Sequence, residues 1–180
     1  MLDYPALSNQ SQSPIRSYKR VKMNNLEKEF LQNEIDKLDF IDSTLLLRKV
    51  KKQQSHQHCM LCGTQSTFGL KLDFYNDQDG AVWTRAKGSI HQQGYQGILH
   101  GGFIAALLDA GMCQAIFNQG AEAVTGDMNI RYLAEIPLTA DIIMCGKISK
   151  NYLTLYKVEA EIYVDQQLMA KSTARFMKRQ

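Results

Sequence analysis

His100-Gly101-Gly102 stands directly before a run of six apolar residues, Phe103 to Leu108, that ends at a single carboxylate, Asp109, and apolar residues resume beyond it as far as Phe117. If this stretch is a helix, its first backbone N–H groups have no intrahelical acceptor and lie at the positive end of the helix dipole. Gly101 and Gly102 can then offer N–H to a carbonyl oxygen with no side chain in the way. Gly102 ranks first as donor and Gly101 second; the plainer reading is that both glycines only let a helix pass close to a sheet. An ionised carboxylate in such surroundings costs several kcal/mol unless partners or water meet it. Asp109 therefore needs a reason, and the chemical one is a general base or nucleophile; the alternative is a structural carboxylate satisfied by backbone or a neighbouring strand. His100 is either a helix cap that locks the preceding loop or a direct contact to the reacting group.

The elements that must position these groups follow from hydrophobic period. A helix apolar on every face is wrapped by protein or sits in a membrane. Six uninterrupted apolar residues fall far short of the roughly 20 a span requires, so no membrane span is expected and the helix is enclosed. Before it, Leu70 to Tyr75 and Ala81 to Lys87 flank Asn76-Asp-Gln-Asp-Gly80, a hairpin turn signal. Ser89 to Leu99 reads as a glycine-containing loop leading into the helix, which is expected to end near Gly120. Four extended runs follow, roughly 123–134, 140–149, 152–164 and 168–177. In the third, Tyr152, Thr154, Tyr156, Val158, Ala160, Ile162 and Val164 alternate with residues such as Lys157, Glu159 and Glu161, the pattern of a half-buried antiparallel strand. Lys150-Asn151 and Asp165-Gln-Gln167 are expected hairpin turns. Strand, strand, long helix and four strands make an α+β protein.

Residues 1–56 read as an extension to a domain at 57–180. The first 20 residues are rich in Ser, Gln, Asn and Pro, and from Asn24 an amphipathic helical period carries Leu26, Phe30, Leu31, Ile35, Leu38 and Ile41. Arg48-Lys49 and Lys51-Lys52 read as a solvated helix end or linker. His56, His58, Cys59 and Cys62 suggest zinc, but His58 adjoins Cys59 and no second Cys or His pair follows at finger-like distance. No metal is expected.

The ordered set Cys59-x-x-Cys62-Gly63, Gly69-Leu70, Gly94-Tyr-Gln-Gly-Ile-Leu-His100-Gly-Gly102 and Thr125-Gly-Asp-Met-Asn-Ile-Arg-Tyr132 resembles the hotdog-fold acyl-CoA thioesterases, especially the phenylacetate-pathway branch, over roughly residues 59–178. The resemblance implies a curved antiparallel sheet wrapped around a long central helix, with the Cys-x-x-Cys-Gly piece as a structural lead-in to the first strand. It implies an acyl-CoA substrate, no cofactor, and a homodimer or homotetramer with sites at the interface. Asp109 would be the catalytic carboxylate, with Gly102, Gly101, His100 and Thr125 beside it, Thr125 helping to hold the water. Gln93, Gly94 and Leu99 would line the substrate. Some relatives carry a substrate-contacting Asn where this chain has Gly94, and Gln93, Gln92 or Gln96 could substitute.

Composition bounds the alternatives. At 44% hydrophobic and 22% charged, the 180 residues suffice for a sizeable core. Of 21 Lys/Arg and 18 Asp/Glu, residues 1–55 hold ten and seven, so the +3 excess lies in the extension and the remainder balances at eleven each. Nucleic-acid binding is not expected. Four cysteines, with no export signal at Met1-Leu-Asp-Tyr-Pro, read as reduced thiols in the cytoplasm. A non-catalytic acyl-CoA-binding or regulatory hotdog protein is the second reading. A carrier-chain dehydratase is a third, whose motif context the His100-to-Asp109 spacing does not match.

Overall fold

The computed structural model describes residues 47–179. The amphipathic helix expected from Asn24 lies outside them. Within them the elements are β1 Arg48–Lys49, β2 Tyr75–Asn76, β3 Val82–Lys87, α1 Gly101–Phe117, β4 Ala123–Tyr132, β5 Asp141–Asn151, β6 Leu155–Val164 and β7 Gln167–Lys178. All seven strands join one antiparallel sheet in the order β1-β2-β3-β5-β6-β7-β4. Helix α1 lies across its middle, against β5 and β6, and reaches β3, β4 and β7. This is the α+β layout that the order of elements predicts, in the hotdog arrangement that the resemblance implies.

Period two decides which face of each strand meets the helix. In β6, Tyr156, Val158, Ala160, Ile162 and Val164 are all buried, while Lys147 and Glu159 of neighbouring strands pair on the outer face. Irregular register in β4, β5 and β6 bends the sheet, as bulges do, so that it closes around the rod. The β6–β7 hairpin turns through Asp165 and Gln166, both at positive φ, which matches the twist of the flanking strands. At the β2–β3 turn, Asp77 Oδ1 accepts from the N–H groups of Asp79 and Ala81, and Oδ2 accepts from Trp83 Nε1 at 2.9 Å.

Three expectations need correction. The run Leu70 to Tyr75 is not a full strand: only Tyr75–Asn76 enters the ladder. Lys71 has φ +52°, and Leu70 and Leu72 give their N–H groups to Met60 and Leu61 instead. Leu72 and Phe74 are still buried, which is why the apolar pattern looked like a strand. Arg48–Lys49, expected as linker or helix end, is the edge strand β1. It is held there by buried Leu47 and Val50 on either side and by Lys49 and Lys52 closing on Asp73 at 2.7 and 3.0 Å. The Lys150-Asn151 turn sits slightly later: β5 continues through Asn151, and Tyr152 N–H bonds back to Leu155.

The core is set by how closely α1 can approach the sheet. Leu107, Leu108, Met112, Ala115 and Ile116 are wholly inaccessible to solvent, as are Ile142, Met144 and Ile162 opposite. The rod and β5 touch at Gly111 and Gly146, where a Cβ on Gly146 would lie 2.4 Å from the Gly111 carbonyl oxygen and one on Gly111 would lie 2.0 Å from Met144 Sδ. Backbone cannot yield as a flexible side chain does. Gly146→Ala is therefore expected to destabilise the domain by roughly 1–3 kcal/mol, read as a lower urea midpoint at unchanged slope; a wild-type midpoint would contradict this packing.

Candidate active site

The helix start is fixed by a loop that bonds mostly to itself. Ser89 and Gln92 cap the short 3-10 turn Ile90–Gln92, with Ser89 N–H donating to Gln92 Oε1 at 2.7 Å. Gln92 O then accepts from His100 N–H at 2.8 Å, Gly94 N–H reaches Ile98 O at 2.9 Å, and Leu99 N–H reaches Ile136 O at 2.9 Å. Gly97, at φ +75°, turns the chain between them. Leu99 is buried, anchoring the loop in the core rather than lying open to a ligand. Gln93 Oε1 accepts from Gly97 N–H at 2.8 Å, so this side chain's oxygen serves the loop. Gly94 has a packing reason: a Cβ there would stand 3.1 Å from His100 Cα.

His100 is the N-cap of α1. Its backbone is extended (φ −65°, ψ 133°), and its Nδ1 accepts from Gly102 N–H at 2.9 Å. The capping role is thus realised, by a ring nitrogen in place of the usual hydroxyl or carboxylate. The two helix-start amides, expected as donors with Gly102 first and Gly101 second, are engaged differently in this structure. The Gly102 N–H is already taken, whereas the Gly101 N–H, first in the helix, has no intrahelical acceptor. Over it stands Tyr132, whose hydroxyl donates to Gly101 O at 3.0 Å. Tyr132 lies in the Thr125–Tyr132 motif, but no role could be assigned to it until the strand was folded beside the helix.

Two turns further along, Asp109 is half-buried and Thr125 is exposed. Thr125 Oγ1 donates to Asp109 Oδ1 at 2.6 Å. The carboxylate is therefore neither sealed in an apolar pocket nor left without a partner. How β4 manages this contact is not evident from alternation. Thr125 and Tyr132 are seven residues apart, so in a regular strand they would face opposite sides. The register of β4 against β7 shifts between Thr125 and Asp127. The extra residue, Gly126, reverses the parity, so that Met128 and Ile130 pack on the core and Tyr132 joins Thr125 on the helix side. Asp127 turns outward to pair with Arg175. A bulge that re-aims side chains is a recurrent device beside functional sites.

No thiol competes with the carboxylate. Cys113, one turn after Asp109, is pushed up to about 12 by burial and then by the Asp109 charge. Burial likewise raises Cys145. Neither offers a thiolate near neutrality. The candidate site thus brings together a helix-start amide at Gly101, a capping imidazole at His100, and a carboxylate–hydroxyl pair at Asp109 and Thr125.

Comparison with known proteins bears on the family and the fold. Residues 96–171 match the model of the Thioesterase superfamily. The acyl-coenzyme A thioesterase THEM4 of Rattus norvegicus is 31% identical over 116 residues, 62% of this chain and 47% of that protein, so the chain spans about half the length of this relative. The structure of smu.793 from Streptococcus mutans UA159, bound to acetyl-CoA, superposes with a TM-score of 0.54 at 25% identity, over 56% of this chain and 82% of that one. Zebra fish thioesterase superfamily member 2 shares the fold, with a TM-score of 0.59 at 23% identity over 69% and 94% of the two chains. Among the described residues, no helix is long and apolar enough to cross a membrane.

The cap itself is testable without a substrate. His100→Ala removes the acceptor for Gly102 and is expected to cost about 1 kcal/mol, lowering the melting midpoint by roughly 2–4 °C. His100→Asn, which can still cap, should recover most of that loss; equal loss in both variants would mean that the ring serves something other than the helix end.

Proposed function

We propose, starting from the match of residues 96–171 to the Thioesterase superfamily, that the chain hydrolyses acyl-CoA thioesters to the free acid and coenzyme A. The observation that carries this reading is the Thr125–Asp109 pair, 2.6 Å apart at the solvent-reached edge of an otherwise greasy helix. With Oδ1 occupied by the threonine hydroxyl, Oδ2 is left to accept a proton from water. The water oxygen adds to the thioester carbon, and the charge that develops on the carbonyl oxygen is met by the Gly101 N–H at the positive end of the helix. Collapse of the adduct breaks the C–S bond, and the departing CoA thiolate takes up a proton.

This division of labour favours a homodimer. Gly101 and Asp109 are eight residues apart on one helix, about 12 Å of axial rise, too far for both to act on one carbonyl, whose donor and attacking water must each lie about 3 Å away. A second copy, related by a twofold axis, brings the start of its helix towards this carboxylate. Strand β4 supports the same arrangement. Among the described residues it pairs only with β7, which leaves its other edge uncovered by them, and Val124 and Tyr132 are half exposed along it; an uncovered edge of this length is a template for pairing with another chain.

Two measurements test these statements. Following free thiol release from a panel of acyl-CoAs, Asp109→Asn should fold normally yet lose turnover by about 10²–10⁴-fold. Unchanged turnover would remove Asp109 from the mechanism, and saturable binding without any release by the wild type would favour the non-catalytic reading. The shared site is tested by complementation. Gly101→Pro deletes the N–H at a helix position where proline is tolerated, after a residue already in the extended backbone that precedes proline. Mixed with Asp109→Asn and reassembled, the two inactive variants should regain about a quarter of wild-type turnover in heterodimers. No recovery, or a monomer by light scattering under assay conditions, would overturn the dimeric site.

A further inference from the structure

We propose that His56, Cys59 and Cys62 form a binding site for a zinc-type divalent cation, separate from the acyl-CoA chemistry. A candidate nitrogen or sulfur from each of these three side chains lies within 4.8 Å of the other two. Cys62 Sγ and His56 Nδ1 are 3.8 Å apart. Zinc bonds of about 2.3 Å to sulfur and 2.0–2.1 Å to nitrogen place tetrahedral ligands roughly 3.5–3.8 Å from one another, so the pair stands at the edge length such a site needs.

The local chain is shaped to hold the ligands in that relation. The turn from Cys59 closes with Gly63 N–H donating to Cys59 O at 2.9 Å. It is so tight that a Cβ on Gly63 would lie 2.5 Å from Cys59 N and 2.6 Å from Gln57 O, both backbone atoms. Both sulfurs are offered donors of the kind that stabilise a thiolate. Leu61 N–H approaches Cys59 Sγ at 3.5 Å, and the buried Gln114 Nε2 approaches Cys62 Sγ at 3.3 Å. His56 closes the 3-10 turn Gln54–His56, and its ring stands edge-on to Phe117 with centroids 4.7 Å apart. Gln114 and Phe117 both belong to α1, so a bound cation would fasten the lead-in segment to the far end of the central helix. A solvent oxygen completes the tetrahedron from the side on which His56 and Cys59 remain half exposed.

The donor set selects the metal class. Two thiolates and an imidazole suit zinc, while a hard oxygen-seeking cation such as magnesium has no carboxylate here. On binding, both thiols release their protons to solvent and the imidazole coordinates in its neutral form. In the sequence His58 adjoins Cys59 and no second Cys or His pair follows at finger-like distance, which argues against zinc among His56, His58, Cys59 and Cys62. The third ligand instead lies three residues before Cys59, folded back by a 3-10 turn, whereas the adjacent His58 is exposed.

The test uses the full chain purified under reducing conditions, stripped with a chelator and reloaded with zinc or cobalt(II). Expected are about one metal per chain, a sulfur-to-cobalt charge-transfer band in the near ultraviolet with tetrahedral d–d bands in the visible, and a lower melting midpoint after stripping. Cys62→Ser should abolish the charge-transfer band or halve it. His56→Ala, at a half-exposed position that leaves the turn intact, should weaken zinc binding by about tenfold or more with an unchanged circular dichroism spectrum. A folded chain that takes up no stoichiometric zinc and gives no cobalt–thiolate band overturns the site, as does a mass two hydrogens short, which would place a disulfide between the cysteines.

Discussion

Everything at the candidate active site depends on the contact between two backbones at Gly111 and Gly146. With no Cβ on either side, α1 is pressed against β5, which fixes the rotation of the helix about its own axis as well as its depth. Successive residues of a helix step by about 100°, so Asp109, two residues before Gly111, points roughly 200° away from the face that meets β5. The carboxylate is thereby turned from the closed middle of the sheet towards its open end. There it meets β4, the outermost strand, and the Thr125 hydroxyl. A bulkier residue at either glycine would lift or roll the rod and carry the carboxylate out of register with the threonine.

The same rod imposes opposite demands along its length. From Leu107 onward it must be apolar on nearly every face because strands cover most of its circumference, yet its first turn has to stay polar and accessible. The sequence changes character between these zones: glycines and a histidine at the front, then Leu107, Leu108, Met112 and Ile116, all without accessible surface. The front end is rigid because its loop is hydrogen-bonded internally through Gln92, Gln93 and Gly94. A preorganised amide costs no reorganisation when charge develops in front of it, so in the proposed mechanism a loop tied down in this way would serve the chemistry.

Much of this was legible from residue types. The greasy helix, the Asn76–Gly80 turn, the alternation in β6 and the order of elements all follow from periodicity and turn chemistry, because each is set by neighbours within a few residues. What was not legible depends on partners distant in sequence or on a single local irregularity. Leu72 and Phe74 are buried as strand residues would be, but Leu72 gives its N–H to Leu61 in a loop and the Phe74 carbonyl accepts from Val50 just after β1, which side-chain pattern cannot reveal. Arg48–Lys49 looks solvated and is in fact an edge strand held by Asp73. That the Gly102 amide is occupied follows from one ring orientation. The parity change at Gly126 brings Tyr132 to the helix start, and no rule of alternation predicts where a bulge will fall.

The separation between Gly101 and Asp109 then decides what kind of site this fold can build. A helix is a ruler, and its two functional ends cannot be brought together by any change of side chain, since each residue adds about 1.5 Å of rise. With the roles proposed for Gly101 and Asp109, a single copy of the domain would offer an oxyanion donor with no base beside it and a base with no donor beside it. The proposed twofold dimer would meet both deficits at once, since an isologous interface can set each half-site against its complement. Among the described residues β4 is the long strand at the edge of the sheet, so in the proposed dimer the pairing that the chemistry calls for would also satisfy its unpaired amides and carbonyls.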